Sequence, residues 1–211
     1  FAKILPPSHL LHKSSKMRYS HHMNKQLTFL LSLTLLFLVG CKTVGVNDNQ
    51  SKDYTEEVRL HRLSAEQGNV KGQINLGVMY FNGHGVHQDY KEAVRLFRLS
   101  AEQGLAEAQS NLGFMYEIGH GVQQDYKEAV KWFRLSAEQG NVKGQINLGV
   151  MYDKGQGVPQ DYVLAHMWFS LASTKGIKKA IEKRNSAESK MSPAQIAKAQ
   201  EMVRNWKPTK K

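Results

Sequence analysis

The chain has 211 residues, 41% of them hydrophobic, 29 Lys and Arg against 18 Asp and Glu, and one Cys. That length admits one ordinary domain, or a leader followed by a smaller one, and a lone Cys excludes an intrachain disulfide, so stability has to come from packing. The formal charge of +11 is unevenly placed: residues 53–176 hold 12 basic and 14 acidic side chains, residues 177–211 hold 10 and 3. The basicity therefore belongs to the C-terminal end, and a nucleic-acid partner is not expected.

The first segment reads as a leader. Lys13, Lys16, Arg18 and Lys25 precede an uncharged run from Leu27 to Val39, which stops at Gly40 and Cys41. A run of that length fits the apolar core of a signal peptide and falls short of the roughly 18 residues that span a bilayer as a helix. Residues 1–22 are expected to lie upstream of the true start, with Met23 the first choice of initiator and Met17 the second. Residues 23–40 form the signal peptide, and residues 41–52 a linker.

Leu38-Val39-Gly40-Cys41 resembles the lipobox of bacterial lipoproteins. That resemblance implies acylation of Cys41 and anchorage in a membrane, since several acyl chains at about 0.8 kcal/mol per buried methylene hold stably. Lys42, where an Asp would favour inner-membrane retention, points to the periplasmic face of the outer membrane in a Gram-negative source.

Residues 53–176 repeat with a period of 36. Asp53, Asp89, Asp125 and Asp161 each precede a Tyr, Asn-Leu-Gly recurs at 75, 111 and 147, and Tyr80, Tyr116 and Tyr152 follow at matching places. The nineteen residues from Arg62 to Tyr80 are identical to those from Arg134 to Tyr152, the mark of an internal duplication. Each unit predicts two helices. In helix A, Gly72, Leu76, Met79, Tyr80 and Gly83 share a face, and Gly77 requires close approach of a neighbouring helix to justify its cost of about 1 kcal/mol against Ala. The Gly83-His84-Gly85-Val86 segment turns the chain, with Val86 plugging the interior. Helix B opens on Asp89 as N-cap, with Glu92 completing a capping box that Asp53/Glu56 and Asp125/Glu128 repeat. Its buried stripe is Ala93, Leu96, Phe97, Ser100 and Ala101, and Gly104 ends it.

Residues 177–211 leave the pattern. Ile177 to Met191 predicts one helix, and Ser192-Pro193-Ala194-Gln195 opens another with an N-cap, Pro at N1 and a capping Gln. Ile196, Ala199, Val203 and Trp206 lie on one side of it, suited to covering the end of a repeat stack. Two readings stand for the lysines here: a solvated face, or contact with anionic lipid or an acidic partner.

Leu112, Gly113, Tyr116, Gly119, Gly121, Val122, Asp125, Ala129, Trp132 and Phe133 resemble the pattern of the Sel-one-like repeat family, a branch of the tetratricopeptide superfamily. The resemblance covers residues 53–176. It implies an all-α, right-handed superhelical solenoid of about three and a half two-helix units, whose A helices line a concave face. It also implies a scaffold that binds a protein or peptide, with no enzymatic activity and no cofactor.

Positions that differ between otherwise matching units are the candidate partner contacts, because folding does not dictate them. They are Phe81, Glu117 and Asp153, then Asn82, Ile118 and Lys154. Val78, Phe114 and Val150 would add an apolar strip. Asn75, Asn111 and Asn147 repeat unchanged and serve either a partner or the packing. His84, His87 and His120 read as turn residues rather than a metal site, and the repeated Asp residues as caps rather than an acidic catalytic row. The rival functions are a structural or host-contact envelope protein and, from another class, a β-lactam-binding hydrolase. The relatives that suggest the latter carry a disulfide in each repeat, and no Cys follows Cys41 here.

Overall fold

The computed structural model describes residues 48–209, with side chains described from residue 55. The leader, the lipobox at Cys41 and most of the linker lie outside the described residues. Among the described residues all regular structure is helical: α1 (Asp48–Glu66), α2 (Val70–Asn82), α3 (Tyr90–Glu102), α4 (Ala106–Ile118), α5 (Tyr126–Glu138), α6 (Val142–Lys154), α7 (Tyr162–Ser173), α8 (Lys178–Glu188) and α9 (Pro193–Asn205). None of these helices is long and apolar enough to cross a membrane. Consecutive helices pack pairwise from α2 to α8, and α9 lies on α7. This is an all-α superhelical repeat fold.

Helix starts follow from cap chemistry. Asp89, Asp125 and Asp161 are extended, and each carboxylate accepts the two amides that follow at the second and third positions on. That satisfies two of the donors a helix N-terminus leaves open. The expected reciprocal boxes do not form. Glu92 is taken by Arg95 at 2.6 Å and Glu128 by Lys131 at 3.2 Å, one turn ahead instead of back to the cap. A box with both bonds is found at Ser192 and Gln195. Asp53 is not a cap either, since α1 begins five residues earlier at Asp48 and Glu56 pairs with Arg59. The helix expected over 177–191 is shorter, Lys178–Glu188.

Packing explains the repeated small residues. An ideal Cβ on Gly77, Gly113 or Gly149 would sit 2.7, 2.7 and 2.6 Å from a ring carbon of Phe97, Phe133 and Phe169. The Leu-Gly pair of each A helix thus seats the aromatic ring of its own B helix. Gly121 has φ 71°, and a Cβ there would run into the Tyr90 carbonyl, so this turn rests on the start of the preceding B helix. Phe133, Leu112, Met115, Leu148, Met151 and Phe169 are essentially fully buried, each contributing about 1.5–3 kcal/mol.

Polar groups stitch the helices together both within a unit and from one unit to the next. Arg98 and Arg134 donate to the hydroxyls of Tyr116 and Tyr152 at 2.8 and 2.7 Å. Ser136 Oγ donates to the Ala106 carbonyl at 2.6 Å, and Gln139 Nε2 donates to Gln109 Oε1 at 2.8 Å. Gln109 in turn donates to the Ala101 carbonyl. Buried glutamines are tolerable only with such partners.

The C-terminal segment closes the stack. Ala180, Ala187 and Ala199 are buried completely, and the Trp206 ring stands edge-on to Trp168 with centroids 6.4 Å apart. The Thr209 amide donates to the Glu138 carbonyl, so the chain returns to the end of α5. Two basic residues are part of this docking: Lys190 pairs with Asp153 at 2.9 Å, and Lys183 lies over the Phe169 ring. His166, 2% exposed, joins α7 to α8 through Glu188 at 3.2 Å.

Candidate partner-binding groove

Helices α2, α4 and α6 lie side by side on one layer of the solenoid, with α4 and α6 in direct contact. Their outward faces, joined by the start of α8, surround a cavity of about 440 Å3. Its apolar surface comes from Val78 and Phe81 of α2, Phe114 and Met115 of α4, Ile146 of α6, and Phe97 of α3. Its polar groups are Ser110, Asn111, Asn147, Lys143 and Lys179. Val78 and Phe114 are 37% and 38% exposed. Phe81 makes edge-on contacts with Phe114 and Tyr90, at 6.2 and 5.5 Å between centroids, which fixes its ring at the rim.

A second cavity, about 450 Å3, adjoins the first and shares Val78 and Lys143 with it. It adds Asn75, His84, Glu107 and, from α1, Glu57 and His61. The second cavity thus brings Glu57 and Glu107 together with Lys143, whereas the first is bordered by Lys143 and Lys179 with no carboxylate in its lining.

Of the candidates taken from the sequence, Val78, Phe81, Asn111, Phe114 and Asn147 meet in the first cavity and Asn75 lines the second. The amides of Asn75, Asn111 and Asn147 make no hydrogen bond among the described residues. Asn82, Ile118, Val150 and Lys154 line neither cavity, and Asp153 is engaged by Lys190. Glu117 is half-buried, and burial pushes its carboxyl above the usual carboxylate range against the pull of Lys154 and Lys179.

Sequence reasoning missed Ser110, Lys143, Ile146 and Lys179. Lys143 was within reach of the same criterion, since the 36-residue register sets it against Glu107. Lys179 carries no repeat signal, because it comes from the closing helix. Among the described residues no group of three or more His, Cys, Asp or Glu converges as a metal site. The His120 ring is tilted 41° against that of Tyr90 with centroids 4.6 Å apart, and His84 lines the second cavity. His166 also lies 3.3 Å from Ser170 Oγ, one turn away on the same helix, and neither residue lines the groove.

Residues 70–105, 106–141 and 142–177 each match the Sel1 repeat family. The chain belongs to that family. Among solved structures, the Sel1 repeat protein of Oxalobacter formigenes is 37% identical with a TM-score of 0.56, the match covering 62% of this chain and 98% of that one. A protective antigen of uropathogenic Escherichia coli strains, described as displaying an SLR fold, is 32% identical with a TM-score of 0.55 over 71% of this chain. This Sel1 repeat chain spans only 40% of that antigen's length. Cysteine rich protein B of Helicobacter pylori, 20% identical with a TM-score of 0.50 over 63% of this chain and 95% of that one, shares the fold alone. A search of curated proteins gave no match. Sel1 repeats form a protein–protein interaction fold, and its members are generally scaffolds rather than enzymes.

Proposed function

We propose that this protein is a non-catalytic adaptor of the bacterial envelope, whose inner groove binds a segment of a partner protein. The observation that carries the reading is the open apolar cavity between α2, α4 and α6, built where the repeats differ and bordered by asparagine amides that make no hydrogen bond among the described residues. Concave, mostly apolar sites with a few convergent polar groups are where ligands bury most surface. The first cavity is lined by no Asp, Glu, His or Cys, a poor setting for hydrolysis. Attachment through acylated Cys41, at the periplasmic face of the outer membrane, rests on the sequence pattern.

A photoreactive amino acid placed at Phe114, with a control at Lys131 on the outer face, tests the groove in the protein's own cells. A discrete crosslinked species from position 114 and none from 131 is expected. Equal crosslinking from both positions, or crosslinking from 131 alone, refutes the groove. Palmitate labelling that survives Cys41→Ser refutes the tether.

A further inference from the structure

The first junction of the stack is built differently from the next two. The 36-residue register matches Leu96 of α3 with Trp132 of α5 and Trp168 of α7, so the smallest of the three side chains stands where α1, α2 and α3 meet. A cavity of about 420 Å3 lies at that junction, with Ala65, Leu76, Leu96 and Leu99 as its apolar walls. The two tryptophans are 9% and 7% exposed, so at the later junctions a ring is packed inside the fold. Stitching follows the ring: Arg98 and Arg134 hold Tyr116 and Tyr152 at 2.8 and 2.7 Å, whereas Arg62 reaches Tyr80 at 3.4 Å. The Gln109 and Gln145 amides donate to the Ala101 and Ala137 carbonyls, and among the described residues no such bond joins Gln73 to Ala65. Residues 62–80 and 134–152 are identical, so the looser stitch belongs to what packs on that strip, not to the strip itself.

The lining defines what fills the cavity. Lys131 lies over the Trp132 ring at 5.6 Å, and its counterpart Arg95 lines the cavity with its guanidinium held by Glu92 at 2.8 and 2.6 Å. A guanidinium held in this way stacks well on an aromatic face. Charge in the lining is balanced, Arg62 and Arg95 against Glu66 and Glu92, which suits a neutral group better than an ion. Gln73, 4% exposed, has its oxygen committed to Ser100 and Gln103 at 3.0 and 3.1 Å, which leaves its nitrogen as a donor at the cavity wall. A donor beside an aromatic slot fits the carbonyl of a peptide bond. We propose that this cavity takes a tryptophan side chain of a partner polypeptide, the indole lying on Leu96 beside Arg95 and a neighbouring backbone carbonyl accepting from Gln73 Nε2. The partner's ring does for the first junction what Trp132 and Trp168 do for the others. The slot shares no lining residue with the inner groove, so it stands or falls apart from that reading.

The probe is an N-acetylated, C-amidated Gly-Trp-Gly tripeptide carrying a fluorinated indole, titrated with the full chain and read by fluorine NMR. Binding at about 1 mM or tighter is expected, the range open to a fragment of this size, with the cyclohexylalanine analogue at least about ten-fold weaker in competition. Leu96→Trp puts the chain's own ring in the slot, so it abolishes binding and melts no lower than the parent. Leu99→Trp, at a side chain 38% exposed, covers the mouth without entering the core and gives the same loss. Arg95→Gln weakens binding about two- to ten-fold. Phe114→Asp, in the inner groove, leaves binding unchanged. The slot is overturned by no detectable binding, by equal binding of the cyclohexyl analogue, by binding that survives Leu99→Trp or is unaltered in Arg95→Gln, or by loss of binding in Phe114→Asp. A Leu96→Trp variant that melts lower overturns it as well, since the junction then has no room for a ring. Fluorinated indole binding as tightly as the tripeptide would assign the slot to a small aromatic molecule and overturn the polypeptide assignment.

Discussion

Gly113 shows how a single hydrogen atom sets the spacing within a unit. Helix propensity favours Ala there by about 1 kcal/mol, but the added methyl would lie 2.7 Å from Phe133 and 3.1 Å from the Ala129 carbonyl. Phe133 has no free space to give, being fully buried. Gly113→Ala is therefore expected to lose about 1–3 kcal/mol in urea unfolding, the usual cost of overpacking, and a gain in stability would refute the close seat. Glu117 makes a second residue-scale case. Its carboxyl is raised by burial, so the folded chain holds the proton more tightly than the unfolded chain. Stability accordingly falls as pH rises from the ordinary carboxylate range through the raised value, and the loss is complete above it. Glu117→Gln should be more stable than the parent at pH 7, by less than about 1 kcal/mol because the group is half-exposed, and equal to it well below pH 4. A Gln variant no more stable at pH 7 would mean that Lys154 and Lys179 outweigh the burial.

At the scale of the helix, the Asp caps and their neighbouring glutamates do different work. Asp125 accepts two amides at 2.8 and 3.1 Å, whereas Glu128 faces forward to Lys131 in solvent. Asp125→Ala should cost about 1 kcal/mol and Glu128→Gln only a few tenths, measured by thermal unfolding of each variant. Similar losses would indicate that the reciprocal box forms in solution. The same distinction separates residues that differ between units. Phe81 and Phe114 come from equal-length A helices and converge because α2 and α4 lie in one layer, while Asp153, from the last A helix, meets Lys190 instead of open groove.

For the whole molecule, the closing helices decide whether the stack ends in water or in protein. Trp168, Phe169 and Leu171 are buried although no fourth complete repeat follows them. α8, α9 and Trp206 take the place of that repeat. Deleting residues 178–211 would expose these side chains at a cost of about 1.5–3 kcal/mol each. A lower unfolding temperature and concentration-dependent association by light scattering are expected. An unchanged melting curve would contradict the closing role. The basic residues divide accordingly: Lys183 and Lys190 contact the solenoid, so the C-terminal charge is not a uniform solvated face.

The period, the two-helix unit, the Asp caps and the Leu-Gly seat were all legible in the sequence, because a repeat writes the same local and nearest-neighbour constraints three times. Three of its readings had to be corrected. Whether Glu92 turns back to its cap or forward to Arg95 depends on a competition between two close partners that spacing cannot weigh, and the start of α1 at Asp48 precedes the repeated motif altogether. The groove was legible in half: variation between units pointed to Phe81 and Phe114, but nothing local ties Lys179 to Lys143. Those two lysines lie on helices that do not follow one another, and their approach to one cavity is fixed by how α8 folds over the last unit. Periodicity therefore determined the scaffold, while the charge at the groove was decided by the packing of the one segment that does not repeat.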